Sequence, residues 1–154
     1  MGNVFNKDFR DFLEALNNND VSYILVGGFS VILHGHSRVT GDMDIWVEKT
    51  EDNYKKILIA FHQFGLAIFD MTKENFLHHE SWDVFRFGKN PTAIDIMTKV
   101  KGLEFKKCYT NSSIVDVERI KVRLINYNDL IKAKKASSRN KDLGDIDALE
   151  NNKN

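Results

Sequence analysis

Two adjacent glycines, Gly27 and Gly28, end an apolar segment of the chain. The residues before them, Ser22 to Val26, are of types that favour a β-strand, and Phe29 to His34 can start a short helix that ends at Gly35. The pair therefore predicts a strand that turns sharply into a helix. Because glycine carries no Cβ, an anion can approach the backbone N–H groups of such a turn. An isolated glycine pair also occurs as a plain tight turn, so a second feature is needed to choose.

Aspartates in two later segments supply that second feature. Asp42 and Asp44 open a strand-like segment, and residues two apart in a strand share a face, with about 6.5 Å between their Cα atoms. Asp95 is a single charge inside another apolar strand-like segment. If the two strands are neighbours, the three carboxylates converge and repel one another, which favours uptake of protons or divalent cations. The alternative is that Asp42 and Asp44 lie on the solvent face of an edge strand.

The chemistry of such a cluster follows from its ligand type. Magnesium prefers oxygen ligands, and carboxylates supply only oxygen. Two ions about 3.5–4 Å apart can clamp the attacking and leaving oxygens of an in-line displacement at phosphorus.

The rest of the chain alternates between helical and strand periodicity. We predict a single domain over residues 1–150 and a disordered tail at residues 151–154. Helices are expected near the N-terminus, after a Thr50 cap, from Asn128 to Ala136 and from Lys141 to Leu149. Further strands are predicted at Trp82 to Phe87, Thr92 to Thr98, Ile114 to Val117 and Ile120 to Ile125, the first two forming a hairpin through Gly88 to Pro91.

Composition limits the classes of partner. The 22 basic and 22 acidic residues cancel, so the chain has no overall positive field to hold nucleic acid, and a polynucleotide would need a local basic patch. No stretch approaches the roughly 20 apolar residues that cross a bilayer, so we expect no membrane association. With one cysteine, Cys108, a cytoplasmic setting is expected.

In combination, these motifs resemble the DNA polymerase β-like nucleotidyltransferase superfamily. The carriers are the hydrophobic-Gly-Gly turn, the Asp-hydrophobic-Asp pair and the distal Asp95. The chain is similar more narrowly to small bacterial AbiEii-type members, and the resemblance covers about residues 20 to 150. The matching strings are Leu25 to Ser30, His34-Gly35, Arg38-x-Thr40-x-Asp42-x-Asp44, Asp129-Leu130-Ile131-x-x-Lys134 and Arg139-x-Lys141-Asp142-Leu143-x-Asp145-Ile146.

The resemblance implies a fold and an activity. The fold is the α/β (α+β) nucleotidyltransferase fold, a mixed twisted sheet of about five strands flanked by helices, with further helices at the C-terminal end. The activity is transfer of a nucleoside monophosphate from a nucleoside triphosphate to an acceptor hydroxyl, with release of pyrophosphate. The acceptor, an RNA, a protein or a small molecule, stays open, and a protein partner can complete its site. Two Mg²⁺ ions are implied, with Mn²⁺ as a substitute.

Residue roles follow from the same resemblance. Asp42, Asp44 and Asp95 would hold the metals, and Asp95 would help deprotonate the acceptor. Gly27, Gly28 and Ser30 would bind the β- and γ-phosphates. Many family members carry Gly-Ser where this chain has Gly27-Gly28, so Ser30 is the predicted substitute hydroxyl.

Two basic residues extend this assignment. Arg38 either reaches the triphosphate or pairs with a nearby acid, and Lys134 is a candidate for neutralising the leaving pyrophosphate. Asp142, Asp145 and Asp147 are predicted on a helix surface.

The second hypothesis comes from a different class of protein. It is a non-catalytic binding or regulatory module of the same fold, such as a component of a toxin-antitoxin or phage-defence system. The three aspartates favour the enzyme, because a retired site has no need to keep mutually repelling charges together. A phosphohydrolase is less favoured, since no residue is evident to position a water.

Overall fold

The computed structural model describes residues 4–88, 92–137 and 139–153, which form one six-stranded mixed sheet with helices on both faces. The strand order is β3-β4-β2-β1-β6-β5. Pairs β2/β4 and β1/β6 are parallel, and β1/β2, β3/β4 and β5/β6 are antiparallel. In chain order the elements are α1 Lys7–Asn18, β1 Tyr23–Val26, α2 Gly27–Leu33, β2 Met43–Val47, α3 Glu51–Phe64, α4 Lys73–His78, β3 Val84–Phe87, β4 Ile94–Met97, α5 Phe105–Asn111, β5 Ser113–Val117, β6 Ile120–Leu124, α6 Tyr127–Ser137 and α7 Asn140–Lys153.

Alternation along the strands gives the sheet two different faces. On one face, Leu25, Ile45 and Ile96 join a large core with α1 and α3. On the other face, Ile24 and Trp46 join a smaller apolar cluster under α5, α6 and α7. Asp44 and Asp95 lie on this second face, because each is adjacent in its strand to residues of the large core on the first face.

Local signals in the sequence set the helix ends. Asn6 caps α1 by accepting a hydrogen bond from Phe9 N at 2.8 Å, and Thr50 caps α3 by accepting one from Asn53 N at 3.2 Å. Gly65 ends α3 in the left-handed conformation at φ 89°. The Thr50 cap and the Gly65 stop confirm the predicted helix.

Several elements differ from prediction. The sheet has six strands rather than about five, and two short helices, α4 and α5, were not predicted. Helix α7 runs to Lys153 and so includes residues 151–153 of the predicted tail, while Asn154 lies outside the described residues. The predicted hairpin is confirmed for β3 and β4, although residues 89–91 of its turn also lie outside the described part. Among the helices described, none is long and apolar enough to cross a bilayer.

Candidate active site

The strand register brings two of the three predicted aspartates side by side. β2 and β4 are parallel neighbours, and Asp44 lies directly opposite Asp95. Both side chains share a face of the sheet, so the two carboxyl groups are direct neighbours. The Asp95 side chain is only 12% exposed. The convergence predicted for Asp44 and Asp95 is therefore present.

The glycine turn is shaped around Asp44. Val26, the last residue of β1, pairs with Asp44, so Gly27 begins the turn directly beside that carboxylate. Gly27 has φ +70°, and a Cβ there would lie 2.1 Å from Asp44 Oδ2. Only glycine satisfies both the backbone conformation and this close approach. The turn and the carboxylate are thus one structural unit.

Thr40 fills the space beside the second glycine. A Cβ at Gly28 would lie 2.6 Å from Thr40 Oγ1 and 2.9 Å from Thr40 Cβ. The Thr40 hydroxyl makes only a long 3.5 Å contact with Asp42 O. Ser30, by contrast, is fully buried and donates its hydroxyl to Gly27 O at 2.6 Å. Thr40, rather than Ser30, places a hydroxyl where the family's serine side chain would begin.

An arginine that sequence reasoning missed joins the carboxylates. Arg86 lies opposite Asp95 across the β3/β4 pair. Its Nη1 donates to Asp95 Oδ2 at 3.1 Å and Oδ1 at 3.3 Å, and its Nη2 donates to Asp42 Oδ2 at 3.0 Å. Asp42 lies just before β2. The Arg86 guanidinium contacts both Asp42 and Asp95 and so links Asp42 to the aspartate pair. The sequence pattern of the β3/β4 hairpin is the signal that could have found Arg86. The pattern alone does not give the strand register that pairs Arg86 with Asp95.

The pKa values of Asp44 and Asp95 are raised, as expected for neighbouring buried carboxyl groups. Burial, together with the neighbouring charges of Asp95 and Asp42, raises the pKa of Asp44 from 3.8 to about 7. Burial also raises the pKa of Asp95, against the opposing charge of Arg86. Because the two carboxyl groups lie side by side, they titrate together as a pair.

These residues fit a divalent cation by their chemistry. Their donors are all carboxylate oxygens, and a cation would offset the repulsion between the neighbouring Asp44 and Asp95 carboxylates. Within residues 4–88, 92–137 and 139–153, no group of three or more His, Cys, Asp or Glu side chains is already arranged as a cation cage. The position of the Arg86 guanidinium between Asp42 and Asp95 is consistent with this finding.

A buried ion network lies in the C-terminal helices. Lys134 Nζ is 3.1 Å from Asp142 Oδ1 and 3.1 Å from Asp145 Oδ2, and all three side chains are at most 8% exposed. Arg38 Nη1 is 2.7 Å from Asp145 Oδ2, so the pairing alternative for Arg38 is the one observed. The prediction that Asp142 and Asp145 lie on the helix surface is wrong, while Asp147 is exposed. The network joins the segment before β2 to α6 and α7.

The ion pairs of this network restrict what else Lys134 can bind. Burial raises the pKa of Asp142, but hydrogen bonds from Arg139, Ser137 and Lys134 outweigh it and leave the pKa below its ordinary value. Lys134 would have to leave two carboxylates before it could bind a phosphate. Two other cations act on the carboxylate cluster, since the charge of Lys141 lowers the pKa of Asp44 and the charge of Asp44 raises the pKa of Arg139.

Comparison with known proteins bears on the family. A family model described as "Nucleotidyltransferase of unknown function (DUF6036)" matches residues 7–151. No curated protein sequence matches the chain. The match confirms the superfamily suggested by the motifs, and the AbiEii-type grouping stays a prediction.

Solved structures share the architecture at low sequence identity. A lincosamide antibiotic adenylyltransferase, LnuA, solved with lincomycin bound, has a TM-score of 0.62 at 17% identity, covering 97% of this chain and 98% of that one. A putative nucleotidyltransferase from Thermotoga maritima has a TM-score of 0.58 at 14% identity, covering 94% and 91%. An antigenic nucleotidyltransferase-like protein from Paracoccidioides brasiliensis has a TM-score of 0.52 at 14% identity, covering 91% and 72%. These matches show the fold.

Proposed function

The chain belongs to the DUF6036 family of nucleotidyltransferases, and on that premise we propose that it moves a nucleoside monophosphate from a nucleoside triphosphate to an acceptor hydroxyl, Mg²⁺-dependently, with release of pyrophosphate. The observation that carries the proposal is the in-register pair of Asp44 and Asp95 beside the Gly27 turn. Three separate segments of the chain meet there, and each supplies a part that phosphoryl chemistry needs.

The carboxylates supply the metal ligands and the base in this proposal. Asp42 and Asp44 hold the cation, and Asp95 completes its coordination. A divalent cation supplies positive charge for the phosphate oxygens and the leaving pyrophosphate. The acceptor oxygen forms a bond to the α-phosphorus, the bond from that phosphorus to the β-phosphate bridging oxygen breaks, and the acceptor proton passes to a carboxylate oxygen of Asp95.

The glycine turn is the proposed site for the β- and γ-phosphates. Backbone N–H groups at Gly27 and Gly28 are the proposed donors, and the lack of a Cβ at either residue lets Asp44 and Thr40 pack directly against the turn. Thr40 adds a hydroxyl next to Gly28. Ser30 acts indirectly, because its hydroxyl supports the Gly27 carbonyl inside the turn.

Arg38 and Lys134 act as positioning residues in this proposal. Both contact Asp145, which fixes the segment that leads into Asp42 against α6 and α7. The basic residues offered for contact with the triphosphate are instead Arg139 and Lys141, whose charges are coupled to Asp44. Both are exposed, although Arg139 would first have to leave the buried Asp142, which it contacts at 2.7 Å.

A small molecule is the proposed acceptor class. LnuA, named as a lincosamide antibiotic adenylyltransferase and solved with lincomycin bound, aligns with almost the whole of this chain and is almost wholly covered by it. The absence of a general positive charge also disfavours RNA as the acceptor, since binding to RNA relies on phosphate neutralisation. ATP is the first donor to test.

Label transfer tests the proposal. The purified protein is incubated with Mg²⁺, each α-labelled nucleoside triphosphate in turn, and three separate fractions of a cell extract: small molecules, RNA and protein. We expect label to move from ATP to the small-molecule fraction, with pyrophosphate released in equal amount. Asp44→Asn should abolish transfer, and Asp116→Asn, which changes an exposed strand aspartate on β5, should leave it unchanged.

The other outcomes are distinct. Label on RNA or protein keeps the activity and changes the acceptor class. No transfer with any nucleotide, together with no Mg²⁺-dependent nucleotide binding, would favour the non-catalytic module and overturn the proposal.

A further inference from the structure

The Arg86 side chain lies where the metal-binding carboxylates meet. Its guanidinium contacts both oxygens of Asp95 and one oxygen of Asp42 at 3.0–3.3 Å. The strand register fixes the arrangement, because Arg86 faces Asp95 across β3/β4 and Asp95 faces Asp44 across β2/β4. Asp95 is therefore flanked by a cation on one side and a carboxylate on the other.

A divalent cation and this guanidinium require the same oxygens. Magnesium and similar ions bind carboxylate oxygens directly, at about 2.0–2.1 Å, and the ion brings two positive charges into the cluster. Arg86 already directs N–H groups at those oxygens and places its own positive charge beside them. Both cannot hold Asp42 and Asp95 in this geometry, and like charges at this range repel.

The Arg86 side chain lies at an edge of the sheet and is partly exposed. Arg86 lies on β3, an edge strand of the sheet, and its side chain is 43% exposed. A long unbranched side chain at such a position can swing towards solvent without moving its strand. The guanidinium can therefore leave the carboxylates without movement of β3.

We propose that Arg86 is the built-in counter-cation of the carboxylate cluster, and that a divalent cation displaces it from Asp42 and Asp95. Arg86 thereby sets the metal affinity of the site and holds the cluster together when no metal is bound. The inference rests on the proposed function, because it takes the three aspartates as the metal ligands.

Binding of Mn²⁺ without nucleotide tests the inference independently of turnover. Free Mn²⁺ is measured by electron paramagnetic resonance in titrations of the wild type, Arg86→Gln, Arg86→Lys and a control, Lys121→Gln. The control also removes one positive charge. Lys121 lies on β6 and pairs with Asp116 at 3.2 Å, near the edge of the sheet opposite β3. All variants are first checked for a cooperative thermal transition.

The expected result is a change in affinity specific to the charge at position 86. Arg86→Gln should bind Mn²⁺ about tenfold more tightly than the wild type, since one competing charge within about 5 Å is gone. Arg86→Lys should stay close to the wild type because it keeps the charge, and Lys121→Gln should match the wild type.

Two results overturn the inference, and they differ in what else they remove. Equal or weaker binding by Arg86→Gln, with measurable binding by the wild type, overturns the role of Arg86 and leaves the proposed function standing. No Mn²⁺ binding by any variant, with or without a nucleoside triphosphate, overturns the metal-dependent function together with this inference.

Discussion

At the scale of single residues, Gly27 sets how closely the phosphate turn approaches Asp44. Gly27→Ala places a methyl group 2.1 Å from Asp44 Oδ2 at φ +70°, so either the carboxylate or the turn must move. We expect a loss of stability of about 1–3 kcal/mol and at least about 100-fold lower transfer activity. Urea denaturation and initial rates measure the two effects.

Gly35→Ala is the matched control for that change. Gly35 also has a positive φ, +103°, but a Cβ there meets nothing within 4 Å. The control carries the backbone penalty alone. Equal loss of activity in both variants would show that the approach of Gly27 to Asp44 has no part in catalysis.

The raised pKa of Asp44 predicts a pH dependence of stability in metal-free protein. A carboxyl group with a higher pKa in the folded state than in the unfolded chain binds its proton more tightly when folded. Its contribution to stability is therefore present below about pH 4 and is lost as the pH rises through about 7. Between these limits the wild type should lose about 2–4 kcal/mol relative to Asp44→Asn, at about 1.4 kcal/mol per pKa unit.

Thermal unfolding in EDTA at a series of pH values measures this difference. The two proteins are compared at each pH, so that groups titrating in both cancel. Parallel curves for wild type and Asp44→Asn would contradict the assignment of the raised pKa to the Asp44–Asp95 pair.

Whether a residue's partner could be predicted from the sequence depended on how far apart the two residues lie in the chain. The pairing of Asp44 with Asp95 follows from strand parity and one correct guess about neighbouring strands. The partners of Ser30 and Arg38 did not follow, because the sequence does not show which polar group folding brings near. The burial of Asp145, for example, depends on Lys134 and Arg38 arriving from two other segments.

At the scale of elements, the Lys134 network fastens α6 to α7. Lys134→Met removes the cation shared by Asp142 and Asp145 and leaves each buried carboxylate with only its arginine partner. We expect a loss of about 3–5 kcal/mol in the free energy of unfolding, because breaking a buried pair costs more than the pair contributes. Equilibrium denaturation in urea measures it.

Lys132→Met is the control on the same helix, since Lys132 is exposed. It should change stability by less than about 0.5 kcal/mol. The double variant Lys134→Met/Asp142→Leu should recover part of the loss, because it removes one of the two buried carboxylates that have lost the lysine. No recovery would contradict the account of the loss as a buried-charge effect.

Most elements were predictable because their signals are local. The strand-turn-helix at Gly27, the α3 boundaries and the β3/β4 hairpin all follow from caps, glycines and periodicity in short windows. Helices α4 and α5 have six and seven residues, too few for a periodic signal to stand out. The order of the strands in the sheet depends on pairings between distant segments, which no local window contains.

At the scale of the whole molecule, metal binding and stability should be linked. A ligand that binds only the folded protein stabilises it, so Mg²⁺ at tenfold its dissociation constant should raise the free energy of unfolding by about 1.4 kcal/mol. Urea denaturation with and without Mg²⁺ measures this. Asp44→Asn should show no rise, and an equal rise in that variant would mean that Mg²⁺ acts elsewhere on the protein.

The ion pair between Arg38 and Asp145 spans 107 residues of sequence. The segment that leads into the first aspartates is therefore fastened by a residue translated much later. A nascent chain that has left the ribosome only as far as β6 already contains every proposed metal ligand. The segment that leads into Asp42 still lacks its ion-pair partner, Asp145. Ribosome-bound chains of increasing length should accordingly gain activity only once α7 has emerged.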